Sequence, residues 1–76
     1  MPLTIIEARI VSILIDGRWH PADELAVVLG NEGVIERALA TGMVVRTIDA
    51  LRVLGYGIEE DHSAYRLYAD RVGGAL

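Results

Sequence analysis

The chain has 76 residues, 53% of them hydrophobic, a formal net charge of −4 and no cysteine. A domain of this size buries only about 60% of its unfolded surface, which leaves no room for a second independent core, and without thiols there is neither a disulfide framework nor a thiolate metal site. One domain over residues 1–76 is expected, with its core in 4–68, a loose tail at 69–76 and apolar surface left over for a homodimer or a protein partner.

The longest apolar run near the start, Ile13-Leu14-Ile15, falls far short of the roughly 20 residues that span a membrane. Glu7 and Arg9 ahead of it do not fit a signal peptide, so a cytoplasmic protein without membrane contact is expected. All seven basic residues are arginines. Phosphate contacts supply most non-specific affinity for nucleic acid, so in an acidic chain any such surface has to be local.

In chain order, Thr4-Ile5-Ile6-Glu7 has the capping-box spacing, in which a hydroxyl and a carboxylate satisfy free backbone donors at a helix start. Ile6, Ile10, Ile13 and Leu14 carry a first helix to about Ile15, and Asp16-Gly17 ends it. Arg18-Trp19-His20 reads as a short strand, because the residue before Pro21 is pushed out of the helical region. Pro21 fits the first turn of a second helix that runs to about Leu29, with Asp23 and Glu24 at its positive end and Gly30 closing it.

Asn31 is placed to cap a third helix over Glu32 to Ala40, weakened by Gly33 and stopped by Gly42. A fourth helix covers Met43 to Leu54, with Val44, Ile48, Leu51 and Leu54 on one face and Gly55 after it. Tyr56 to Glu60 and Ala64 to Tyr68 alternate as strands around a polar turn at Asp61-His62-Ser63, which makes a hairpin. The fold class is α+β, mainly α, with three to four helices.

Two stretches narrow this further. Glu24-Leu25-Ala26-Val27-Val28-Leu29-Gly30 is similar to the segment that opens many helix-turn-helix units. Val44 to Glu59, continued by Ala64-Tyr65-Arg66-Leu67, resembles the recognition helix and wing of the biotin-operon-repressor-like and WYL-type bacterial regulators. The resemblance extends from Ile5 to Tyr68 and implies a winged helix-turn-helix fold that binds double-stranded DNA and regulates transcription, with the helix 43–54 as reader.

By position, the resemblance puts Arg46 on the matching arginine of the reading helix, Arg52 on that of its Leu-Arg pair, and Arg66 on the returning wing strand. The chain departs from the pattern in three places. Asn31 to Gly42 inserts a segment between the two helices, Ala40-Thr41-Gly42 replaces the usual polar and basic start of the reader, and Glu59-Glu60-Asp61 makes the wing acidic.

With a period of about 3.6 residues, inward Val44, Ile48 and Leu51 leave Gly42, Val45, Arg46, Asp49 and Val53 outward, with Arg52 at the margin. With Thr41 at the start of the reader and Arg66 on the wing added from what the resemblance implies, Thr41, Val45, Arg46, Asp49, Arg52 and Arg66 are the candidate DNA contacts, with Arg46 foremost because arginine pairs well with guanine. Arg52 ranks below it, since at the end of the helix it is suited mainly to packing its stem and meeting the last helix carbonyls. The two valines and the acidic wing suit an alternative, a winged helix turned toward a protein as inhibitor or adaptor.

Other constellations read as structural. Glu59, Glu60, Asp61 and His62 alternate across a hairpin and do not converge on a metal. His20 sits where it caps a helix or packs at a strand edge, and no spacing supplies a nucleophile and base, so no enzyme, cofactor or metal is expected. Trp19 and Tyr65 are expected to seal the small sheet against the helices, rather than stack bases.

Overall fold

A computed structural model describes residues 3–69. Its elements are α1 (Ile5–Leu14), β1 (His20–Pro21), α2 (Ala22–Asn31), a 3-10 turn (Arg37–Leu39), α3 (Ala40–Val53), β2 (Gly57–Asp61) and β3 (Ala64–Ala69). Together they form a small α+β arrangement, mainly helical, with three α-helices and an antiparallel three-stranded sheet in the order β1-β3-β2.

The capping box forms at α1, with Thr4 Oγ1 accepting from Glu7 N at 3.1 Å and Glu7 Oε1 accepting from Thr4 N at 2.9 Å. The short strand lies later than expected. His20 pairs with Tyr65 and Pro21 with Ala64, so Pro21 ends β1 instead of opening the second helix. Its extended backbone, φ −60° and ψ 144°, suits an edge strand, and the next amide, Ala22 N, donates to Ser63 O at 2.8 Å.

The region between α2 and α3 differs most from expectation, because Glu32 to Ala40 is not a helix. Gly33 adopts a left-handed φ of +73° and donates to Gly30 O at 3.1 Å, while Val34 N donates to Leu29 O at 3.0 Å. These paired bonds are the Schellman arrangement that satisfies the final carbonyls of a helix. They close α2 at Asn31, so Asn31 caps nothing and Gly30 lies inside the helix. A Cβ on Gly30 would meet Arg37 Cγ at 3.0 Å, which is how the following turn packs so closely.

The chain then passes through the 3-10 turn directly into α3, which starts at Ala40 instead of Met43. Gly42 is an exposed residue of this helix and does not stop it. The same Schellman bonds recur at its other end, from Gly55 N to Arg52 O and Tyr56 N to Leu51 O, each 3.0 Å.

The hairpin turn is shorter than Asp61-His62-Ser63, since Asp61 pairs with Ala64 as part of β2. His62 and Ser63 alone make it, both at positive φ (49° and 63°), the conformation that matches the right-handed twist of the strands. Ala69 ends β3, whereas the rest of the expected tail, Asp70 to Leu76, lies outside the described residues.

Ile10, Leu14, Leu25, Leu29, Val44, Ile48, Leu51 and Leu67 are fully buried and form the centre of the core, each contributing about 1.5–3 kcal/mol on burial. Thr47, also buried, donates its hydroxyl to Met43 O at 2.7 Å and so leaves no orphan. Tyr65 closes the sheet over this core, and burial raises its phenol pKa. Trp19 does not join it. The indole is 40% exposed and lies beneath Arg66, whose side chain alternates with the buried Tyr65 and Leu67 and so faces away from the helices.

No helix among the described residues is long and apolar enough to cross a membrane.

Candidate nucleic-acid interface

The outward face of α3 follows from its buried one. Ala40, Val44, Thr47, Ile48 and Leu51 point into the core, which leaves Thr41, Gly42, Val45, Arg46, Asp49 and Val53 exposed. Val53 is 87% and Val45 41% exposed. The segment from Arg37 to Val53 carries three arginines against one acid, Asp49, within a chain whose net charge is −4.

The arginines differ in what they already hold. Arg52 donates through Nε and Nη2 to Ile58 O at 3.2 and 3.0 Å, so it ties α3 to β2 instead of meeting the carbonyls of its own helix. Its Nη1 lies 3.8 Å from Asp49 Oδ1. Arg66 donates through Nε and Nη2 to Glu59 Oε1 and stacks over Trp19 at 4.6 Å. Both candidates are thus engaged within the fold.

Arg46 has no carboxylate at salt-bridge distance among the described residues, and the same holds for Arg37 and Arg18. Arg37 is not legible as a candidate in the sequence, because its place depends on where α3 begins. With the helix starting at Ala40, Arg37 stands just ahead of it, exposed, its stem over Gly30. Arg37 and Thr41, together with Asp23 and Asn31, line a groove of about 380 Å³ between α2 and the start of α3. The structure therefore brings Thr41 and Arg37 together, places Val45, Arg46 and Asp49 along the same helix, and puts Arg66 on the separate outer face of the sheet.

On the hairpin, Glu59 is paired by Arg66, whereas Glu60 and Asp61 are exposed beside the turn. Asp61 Oδ1 contacts His62 Nδ1 at 2.8 Å. Among the described residues no group of three His, Asp or Glu side chains is arranged to hold a metal.

His20, half-buried in β1, is bracketed by carboxylates. Its Nε2 lies 2.9 Å from Asp16 Oδ1 and its Nδ1 3.5 Å from Glu24 Oε1. The hydrogen bond to His20, reinforced by the Arg18 amide, holds the Asp16 carboxyl below its ordinary pKa. This contact fastens the end of α1 to the start of the sheet.

Comparison with known proteins finds no matching family, no similar characterised protein and no similar solved structure.

Proposed function

We propose that the chain is a winged helix-turn-helix DNA-binding protein that regulates transcription, with α3 as the helix that enters the major groove. The observation that carries this reading is the local charge of Arg37 to Val53, where cations exceed acids on an otherwise acidic chain. The order helix, strand, helix, helix, hairpin supports it, as does the resemblance of Val44 to Glu59 and Ala64 to Leu67 to the reader and wing of bacterial regulators.

Arg46, exposed and without a carboxylate partner among the described residues, reads a base edge; arginine to guanine is the commonest specific contact. Arg37 and Thr41 hold the neighbouring phosphates and fix the register of the helix. Arg52 and Arg66 are spent on Ile58 and Glu59 and serve to hold the scaffold. The hairpin, with Glu60 and Asp61 exposed, stays off the phosphate backbone, since like charges repel there.

A second reading is favoured by Val45 and Val53, apolar side chains exposed on the same face as Arg46. In it, the winged helix docks α3 onto a protein. Selection of duplexes from a random pool separates the two: DNA reading enriches a defined sequence, and protein docking leaves the pool unenriched.

A further inference from the structure

We propose that α1 is the interface of a symmetric dimer, in which two copies pack this helix antiparallel through Ile5, Ala8, Ser12 and Ile15. While Ile10 and Leu14 point into the core, these four residues are exposed on the opposite side, Ile5 by 78% and Ile15 by 54%. Their spacing alternates three and four residues, the pattern that keeps one seam facing a partner helix. They leave uncovered apolar ends around a small-residue centre.

The occupant follows from the symmetry of the face. Reversing the helix about a point near Ile10 exchanges Ile5 with Ile15 and Ala8 with Ser12, so the stripe is complementary to itself. A two-fold interface requires this self-complementarity: residue i meets residue j, and j meets i. Ala8 and Ser12 allow the two backbones to approach at the crossing, and each isoleucine covers the other copy's opposite end.

Polar groups and charge agree with a second copy. The Ser12 hydroxyl accepts from Arg9 Nη1 and donates to Arg9 O, both at 2.7 Å, so covering it strands no donor or acceptor. Arg9, at the edge of the stripe, is held by Glu32 through Nε at 2.8 Å and Nη2 at 2.7 Å. Each Arg9 guanidinium is thereby neutralised within its own chain. The stripe itself is uncharged, so two acidic chains that meet there set no like charges of the stripe against each other.

A helix of ten residues is about 15 Å long. Alone it covers less than the ~800 Å² per partner of a standard interface, so the dimer is weak and concentration-dependent. This inference does not rest on what α3 contacts.

Sedimentation of the full chain over a wide concentration range tests it, with Ile5→Glu and Ile15→Arg each alone and mixed in equal amounts. An acid at the helix start and a cation at its end both suit the helix dipole, so both variants keep their fold. The wild type is expected to dimerise, and each variant alone to dimerise more weakly by more than about tenfold. The mixture is expected to recover association, because the introduced carboxylate of one variant then meets the introduced guanidinium of the other, while at the opposite end the two unchanged isoleucines still meet. A wild type that stays monomeric, a variant that dimerises normally, or a mixture that does not recover would overturn the proposal.

Discussion

The Arg66 guanidinium stacks over the Trp19 ring at 4.6 Å and at the same time donates to Glu59. One side chain thereby links the loop before β1 with both strands of the hairpin. Trp19 is the sole tryptophan, so its emission reports this contact. Arg66→Ala is expected to shift that emission to the red and to cost about 0.5–1 kcal/mol, the range of an exposed cation–π pair. Unchanged fluorescence and an unchanged urea midpoint would contradict the pairing.

Arg52 and Arg46 lie on one helix yet differ in attachment, which predicts a split in their effects. Arg52→Ala loses two donors to Ile58 O and is expected to destabilise the fold by about 1 kcal/mol. Arg46→Ala removes no bond seen among the described residues and is expected to stay within about 0.5 kcal/mol of wild type. Urea unfolding of both variants checks the difference.

Two glycines are predicted to respond in opposite directions. Gly33, at φ +73° with open space around it, is strained by any side chain, and Gly33→Ala is expected to cost about 1–2 kcal/mol. Gly42 lies within α3, also with open space, and Gly42→Ala is expected to add about 0.5–1 kcal/mol of stability. Thermal melts of the pair test whether the first ends α2 and the second continues α3.

Asp16 and Glu32 have pKa values held down by His20 and Arg9 respectively. A carboxylate with a depressed folded-state pKa contributes stability that is present above its unfolded value and is lost as pH falls through the folded one. Stability is therefore expected to decline on acidification from the ordinary carboxylate range downward, and Asp16→Asn is expected to flatten that decline. Urea midpoints measured across acidic pH would show it; a curve of unchanged slope in the variant would count against the Asp16–His20 contact.

Most of the fold is readable where side-chain chemistry acts locally. Thr4 and Glu7 announce the capping box, and Ile10, Leu14, Val44, Ile48 and Leu51 announce the buried faces. The Asn31 to Gly42 segment misleads because its ending is decided by backbone geometry. A helical pattern at Val34, Ile35, Ala38 and Leu39 competes with the Schellman bonds around Gly33, and the bonds prevail by satisfying the end of α2. Shifting the start of α3 to Ala40 then exposes Arg37 as a candidate that spacing alone does not show.

At the site, exposure is legible and engagement is not. The helical period gives the outward positions of Val45, Arg46, Asp49 and Val53. It has no means of showing that Arg66 is taken by Glu59 and Trp19, because those partners lie across the sheet. For the same reason the pattern of residues puts Trp19 inside, although its place on the outer face depends on where Arg66 lands.

The salt dependence of duplex binding, compared among wild type, Arg37→Ala, Arg46→Ala and Arg66→Ala, tests the DNA-reading proposal most directly. Affinity is expected to fall steeply as salt rises, and loss of a phosphate-contacting arginine to reduce the slope by about one. That reduction is expected for Arg37→Ala, while Arg46→Ala costs about 1–3 kcal/mol of discrimination at one base and Arg66→Ala leaves both slope and discrimination unchanged. Affinity insensitive to salt, or a greater loss from Arg66→Ala than from Arg46→Ala, would contradict α3 as the reader.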